Sequence, residues 1–370
     1  MQLKELHLVN FTNYSKEEVA FGKKITILVG ENAQGKTNLL DAISYLSSFS
    51  GRRGRTDAQL VQEGTEHFQL QGIFLAKGNE HKLQITYYQG KKQIIFNEQE
   101  MKKVGEATGK LQAIFFSPDD LYLFKGAPAM RRSFLDHEVM QAAGDYYFHY
   151  EHYRKNLASC NAYLKQCLKK YARPDDLLLS VWLNKLAEHG TAIVEARLAM
   201  LRKLRPLARL AHRKMTEGKE EMEIVYVCSL VLEGEQLSKE SFVAQLEASK
   251  EENRLRGMIM QGPHRDDLTL LINGKSAKEY ASQGQHRTAV LALKLASLES
   301  IYAQTGEYPL LLLDDVLSEL DAGRREQLMQ LVNKKIQTII SCTGLELLQP
   351  ELLAEADILP ISQGKISLQV

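Results

Sequence analysis

Three hydrophobic rhythms run along the chain and divide it. Residues 3–21 alternate apolar and polar positions in short stretches such as Leu3-Lys4-Glu5-Leu6-His7-Leu8-Val9, the period of strands with one buried face. Ile25-Thr26-Ile27-Leu28-Val29 breaks that rhythm with a continuous β-branched run, which reads as a strand buried on both faces. Residues 37–46 then switch to helical spacing. Alternation returns over 68–96, with turn residues at Lys77-Gly78-Asn79 and Gln89-Gly90-Lys91, so an antiparallel meander is expected. Residues 111–116 form another buried strand. Ser117-Pro118-Asp119-Asp120 follows with an N-cap serine and a proline suited to the first helical position.

From there to about Lys250 the pattern is mainly helical, over 146–171, 177–216 and 239–260, with one strand inside 221–232. No heptad runs on for several repeats, so this is an inserted lobe and no long coiled coil. From Gly262 the pattern returns to α/β. A strand at 268–272 ends in Asn273-Gly274, a type I′ turn signal. A helix over 284–303, an apolar strand over 308–313, a helix over 320–332 and a strand over 338–342 follow, and the last residues are mixed.

Composition narrows the classes. A chain of 370 residues, 44% hydrophobic, can bury a large core and divides into two or three lobes. The formal net charge is +1, so any nucleic-acid binding rests on local basic patches and not on a global field. No apolar run approaches the roughly 18 residues of a membrane span, and residues 1–11 read as a strand and not as a signal peptide's apolar core. Cys160, Cys167, Cys228 and Cys342 have neither zinc nor disulfide spacing, so reduced thiols in a cytoplasmic protein without a membrane partner are expected.

The chemistry concentrates in Gly30-Glu31-Asn32-Ala33-Gln34-Gly35-Lys36-Thr37, which meets the phosphate-cradling pattern G-x-x-x-x-G-K-[ST] between a strand and a helix. The glycines let backbone N–H groups approach phosphate oxygens at a helix N-terminus. Lys36 would reach the β- and γ-phosphates of ATP, and the Thr37 hydroxyl would ligate Mg²⁺. Leu310-Leu311-Leu312-Leu313-Asp314-Asp315 is a buried strand delivering two acids at its carboxyl end. Asp314 would hold Mg²⁺ or its water, and Asp315 would orient or deprotonate an attacking water. Ser282 heads a helix, with Gly284 allowing close approach and Gln285 beside it. The glycine loop already fills this chain's own anion site, so Ser282 would serve the γ-phosphate held by another copy.

Two basic stretches admit two readings each. Gly51-Arg52-Arg53-Gly54-Arg55 is a solvated turn or an anion contact. Residues 197–214 carry Arg197, Arg202, Lys203, Arg205, Arg209, Arg213 and Lys214 with no acid between them, and Leu201, Leu204, Leu207 and Leu210 mark an expected buried stripe. That helix, expected to kink at Pro206, shows either a solvated face or a surface that tracks phosphates. Arg52, Arg53, Arg202, Arg205 and Arg209 are the candidate DNA contacts.

The order of these elements resembles the ABC ATPase head of the SMC-type repair branch: glycine loop, long insertion, Ser282-Gln283-Gly284-Gln285 helix start, Asp-Asp strand, then Leu317-Ser318-Glu319-Leu320-Asp321. Within that branch the chain is similar to the RecF family throughout. The shared stretches are residues 6–14, Arg55-Thr56, Phe116-Ser117-Pro118-Asp119-Asp120-Leu121, Arg131-Arg132-Ser133-Phe134-Leu135-Asp136 and Gly262-Pro263-His264-Arg265-Asp266-Asp267-Leu268.

The resemblance implies an α/β fold, an ABC-type P-loop ATPase head with an antiparallel β subdomain and an inserted, mainly helical lobe. The ATPase lobe would take residues 1–118 and 257–370, and the helical lobe residues 119–256. It further implies an ATP-assembled homodimer that clamps DNA where duplex and single strand meet. Together with RecO- and RecR-like partners that dimer would promote recombinase loading and the SOS response, as a weak DNA-dependent ATPase working as a switch. Asp315 stands where many ABC heads carry Glu, which implies slow hydrolysis. Ser341-Cys342-Thr343 replaces a common histidine position, so a γ-phosphate sensor there would be a hydroxyl. No glutamine follows the strand before Ser117, which leaves the Mg²⁺-sensing side chain open, and Asn13 or Tyr14 is a candidate adenine contact. His264 has no serine or cysteine partner at catalytic spacing and is expected to shape a turn near the nucleotide. Two readings from other classes, a transporter's ATPase subunit and a P-loop small-molecule kinase, leave the basic helix or the serine-headed helix unexplained.

Overall fold

The structure, a computed structural model, describes residues 1–346 and 348–367, less the side chains of Arg53 and of residues 330–334. The strands in chain order begin with β1 (Gln2–Phe11), β2 (Tyr14–Ala20), β3 (Ile25–Val29), β4 (His67–Ala76) and β5 (Asn79–Tyr88). Next are β6 (Lys91–Phe96), β7 (Gln99–Glu100), β8 (Ala113–Phe116), β9 (Met222–Val227) and β10 (Asp267–Ile272). The last are β11 (Lys275–Ser276), β12 (Leu310–Asp314), β13 (Thr338–Cys342), β14 (Ala356–Ser362) and β15 (Lys365–Ile366).

The chain forms two compact units. One comprises residues 1–122, 207–220 and 282–370, and the other residues 123–206 and 221–281. In the first, β2-β1-β4-β5-β6-β7 make an antiparallel sheet, and β15-β14-β3-β13-β12-β8 make a second sheet whose inner strands are parallel. The sequence rhythms follow from this difference. β4 alternates buried and half-buried positions along its whole length, because only one of its faces meets the core. All five residues of β12 and of β13 are buried, because parallel strands are covered on both faces. The helix Lys36–Ser48 joins the two sheets through one core, in which Phe11, Tyr45 and Phe68 meet edge to face with centroids 5.3–6.4 Å apart. Two of the meander's turns, Lys77-Gly78 and Gln89-Gly90, have paired positive φ, and so does Asn273-Gly274 between β10 and β11.

The second unit holds the helices Pro128–Ala142 and Tyr146–Lys169, most of Asp176–Met215, and the three-stranded sheet β11-β10-β9. Residues 257–281 belong with it because β10 pairs along its length with β9 and not with the parallel sheet. Arg197 is buried there, its guanidinium 2.7 Å from Asp136 and donating to the Pro263 carbonyl at 2.8 Å. His264 accepts or donates at Tyr153 (2.7 Å) and meets the Ile259 carbonyl (3.1 Å), a structural placement in which burial pulls its pKa down to about 4.

Two expectations need correction. The helix over 239–260 is two helices, Lys239–Ala248 and Lys250–Arg256. Ser249 leaves helical geometry to cap the first, and left-handed Gly257 ends the second. The stripe on the long helix is Leu201, Leu204 and Ala208, whereas Leu210 is 53% exposed, because a seven-residue step from Leu201 lands on Ala208. The segment read as mixed holds a helix, Pro350–Glu355, and two strands: β14 runs parallel to β3 and turns through Gln363-Gly364, both at positive φ, into β15. All four cysteines are free, and burial pushes Cys160 and Cys228 up to about 12 and Cys342 to about 11, so these three are not poised to react at neutral pH.

Candidate nucleotide site

Parallel pairing brings the carboxyl ends of β3, β13 and β12 to one edge, and with them the glycine loop, Ser341 and the Asp314-Asp315 pair. They line a pocket of about 200 Å³ together with Asn32, Ala33, Gly35, Lys36, Thr37 and Asn38. Gly30 is required by crowding: a Cβ there would stand 2.3 Å from the Ile361 carbonyl oxygen of β14. Gly35 is required by its φ of +118°, and the Tyr14 hydroxyl donates to its carbonyl at 3.0 Å. Lys36 opens the helix and donates from Nζ to the carbonyls of Gly30 (2.5 Å) and Glu31 (2.7 Å).

Asp314 is buried and accepts two hydroxyl hydrogen bonds at Oδ1, from Thr37 (2.8 Å) and Ser341 (2.9 Å). Thr37 and Asp314 are thus side by side, the hard oxygen pair that Mg²⁺ takes when phosphates and water complete its shell. No cluster of three or more His, Cys, Asp or Glu fit for a metal exists among the described residues. Asp315 sits in the left-handed region at φ 51°, a conformation that Asp tolerates. Its N–H donates to the Ser341 hydroxyl at 3.0 Å. Burial and the neighbouring Asp314 raise its pKa.

Ser282 caps the helix Gln283–Thr305 with a reciprocal capping box: its Oγ accepts the Gln285 N–H at 3.2 Å, and Gln285 Oε1 accepts the Ser282 N–H at 2.8 Å. Arg324 donates to the Gly284 carbonyl at 3.0 Å and to Thr288 at 2.8 Å, and Arg287 pairs with Glu319 at 2.8 Å. The helix start is therefore fixed to the segment after the Asp-Asp strand. Ser282, Gly284 and Gln285 are absent from the lining of the pocket, and Ser282 is exposed.

The basic stretches are largely engaged within the chain. Arg52 lies 3.2 Å over the Phe115 ring centroid, pairs with Asp41 at 3.2 Å and donates to Ser117 at 3.3 Å. Arg205 donates to the Ile224 carbonyl and to Glu235, each at 2.8 Å. Arg202 stands 3.8 Å from Glu235 and is half exposed, and Arg209 is exposed. Arg53's side chain lies outside the described residues. After β8, Asp120 is held by Lys294 at 3.0 Å and by Ser117. Burial alone would raise the Asp120 pKa, but Lys294, Arg52 and the Ser117 N–H hold it below its ordinary value.

The braces beneath the loop were missed from sequence. Gln34 accepts the Gly364 N–H on its carbonyl (2.9 Å) and the Gln363 N–H on its side chain (2.7 Å), and Asn13 bonds the same carbonyl (3.3 Å) and Asn38 (2.8 Å). The signal was the Gln363-Gly364 pair between Ile361 and Ile366, a hairpin pattern. Tyr14, a candidate adenine contact, is fully buried under the loop, where burial raises its hydroxyl pKa.

A family model described as the RecF/RecN/SMC N-terminal domain matches residues 2–355. Proteins named DNA replication and repair protein RecF, from Bacillus thuringiensis (strain Al Hakam) and Bacillus cereus (strain AH187), are 36% identical over 373 residues, covering 100% of this chain and 99% of each relative. This chain belongs to the RecF family. Among solved structures, the recombination mediator protein RecF with ATPrS superposes with a TM-score of 0.91 at 32% identity, covering 100% of this chain and 98% of the other. The RecF–ATP structure gives 0.88 at the same identity and coverage. The Smc head of Pyrococcus furiosus, at 16% identity and a TM-score of 0.50 over 98% of this chain and 94% of that one, shares the fold alone. As a RecF-family chain it has the α/β ATPase-head fold expected from its motifs.

Proposed function

We propose that this protein is an ATP-dependent recombination mediator in DNA replication and repair, whose nucleotide site works as an assembly switch. The observation that carries the reading is the division of the site. The glycine loop, Thr37, Asp314 and Asp315 line one pocket, while the Ser282 helix start of the same chain is exposed and outside that lining. Such a half-site is completed by a second copy. ATP on the loop of one protomer would receive the serine hydroxyl and helix N-terminus of its partner. Only the γ-phosphate can span the two chains, so ATP favours the closed dimer and ADP does not.

When bound, Mg²⁺ would neutralise phosphate charge between Thr37 and Asp314. Lys36 binds the phosphates, Asp315 orients and deprotonates water, and the loss of the γ-phosphate contact releases the dimer. The relatives' names support a role with DNA and in a pathway with RecO- and RecR-like partners. A preference for junctions between single and double strand is the finer part of the proposal. The full-length match to repair proteins weighs against the transporter and kinase readings. No helix among the described residues is long and apolar enough to cross a membrane.

Light scattering with ATP, ADP or no nucleotide tests the switch. The wild type should double its mass with ATP alone, and Lys36→Ala and Ser282→Ala should stay monomeric. Lys36→Ala should also lose ATP binding, whereas Ser282→Ala should keep it. A wild-type protein that remains monomeric at saturating ATP refutes the proposal.

A further inference from the structure

Through Gln285, the Ser282 cap rests on Glu220, a residue that no sequence motif includes. Gln285 uses its side-chain amide twice: Oε1 accepts the Ser282 N–H at 2.8 Å, and Nε2 donates to Glu220 Oε1 at 2.9 Å. A carboxylate can only accept, so Glu220 fixes which end of the amide faces the serine. Turned over, Gln285 would present an NH₂ group to the Ser282 N–H, and the capping box would be lost. Near the end of the long helix, buried His212 Nε2 stands 3.5 Å from Glu220 Oε2. Glu220 is also the last residue of its segment before the chain passes, at Glu221, into the second compact unit.

We propose that Glu220 is a positioning residue for nucleotide-driven assembly: through Gln285 it holds Ser282 in the cap geometry that presents its hydroxyl to a partner's nucleotide. The inference rests on the reading that Ser282 completes the partner's site. In the cap, Ser282 Oγ accepts from the Gln285 N–H, which leaves its proton free to donate to a phosphate oxygen. Without Glu220 the Gln285 side chain regains rotamer freedom, and the serine must be ordered at the moment of assembly. The connection between the units also ends two hydrogen bonds from the serine.

The test compares Glu220→Ala, Glu220→Gln and Ser282→Ala in the full chain, with ATP as the probe. Glu220→Ala should weaken ATP-dependent dimerisation about tenfold, the scale of one hydrogen bond to a charged group, with ATP affinity of the monomer unchanged. Glu220→Gln can still accept from Gln285 and should dimerise within about twofold of wild type. In the nucleotide-free protein, amide exchange over 282–285 should quicken in Glu220→Ala and not in Glu220→Gln, at unchanged global stability. Normal dimerisation of Glu220→Ala beside a failing Ser282→Ala overturns the role of Glu220 and leaves the divided site standing. Normal dimerisation of Ser282→Ala removes the divided site, and the inference with it. Equal failure of both Glu220 variants, with a lowered melting point, assigns Glu220 to folding and also overturns the inference.

Discussion

Replacing Arg52 by alanine separates two roles that sequence left open for the basic loop. Arg52 sits over the face of Phe115, pairs with Asp41 and bonds Ser117, and its side chain is 18% exposed. Its main partner, Asp41, has a side chain only 9% exposed and lies on the helix behind the phosphate loop. Removing one partner of a buried ion pair costs about 3–5 kcal/mol, because the other charge stays buried. Arg55 remains, 3.3 Å from the second Asp41 oxygen, and Arg52 is not wholly dry, so the electrostatic loss falls toward about 2 kcal/mol. Losing the stack on Phe115 adds about 1 kcal/mol. Denaturant unfolding of Arg52→Ala should therefore show about 3 kcal/mol of destabilisation, with DNA affinity and its salt dependence unchanged.

The pH dependence of that loss is a second check on the cause. Burial raises the Asp41 pKa, and Arg52 and Arg55 oppose the rise. A carboxyl whose folded pKa lies above its unfolded value binds more protons when native, so its contribution to stability declines as pH rises through that interval. Without Arg52 the folded pKa climbs further, and the mutant suffers most where Asp41 is ionised. The difference from wild type should shrink as pH falls through the raised Asp41 pKa and the buried charge is neutralised. A mutant that loses DNA affinity while keeping wild-type stability at every pH would refute the argument and make Arg52 a DNA contact.

Asp315→Asn should bind ATP and form a dimer that persists, because Asn cannot take the proton from water. Scattering after ATP is removed reads its lifetime, and a wild-type lifetime excludes Asp315 from hydrolysis. DNA affinity should fall steeply with salt, and Arg202→Glu with Arg209→Glu should reduce the log–log slope by about 1–2. An unchanged slope returns that helix face to ordinary solvent exposure.

Sequence legibility tracked how local the physics is. The glycine loop, the Asp-Asp strand and the serine cap were readable because each needs particular residues at short spacing. The continuous apolar run of β12 announced a parallel strand buried on both faces. The fate of the arginines was not readable, since a guanidinium looks the same whether it meets solvent or a partner 66 residues away, as Arg197 meets Pro263. Helix breaks at single serines were hidden for a related reason: Ser249 is tolerated inside a helix and leaves it only where its neighbours gain from the turn. β14 was obscured by Asp357 and Pro360, although its pairing with β3 places the Ile361 carbonyl against Gly30.

That last contact shows what the loop's pattern leaves out. Gly30 and Gly35 are glycines for different reasons, one because β14 leaves no room for a side chain and the other because the backbone turns left-handed. The loop takes its shape from three chain segments far apart in sequence: the β1–β2 turn at Asn13 and Tyr14, the β14–β15 turn at Gln363 and Gly364, and its own strand and helix. A phosphate site held this way is built before nucleotide arrives, so binding need not fund the ordering of the loop. In the proposed switch, the free energy of the γ-phosphate contact would then be available for the second protomer. A preformed loop on one chain and a preset serine cap on the other would let ATP change only whether two finished surfaces meet.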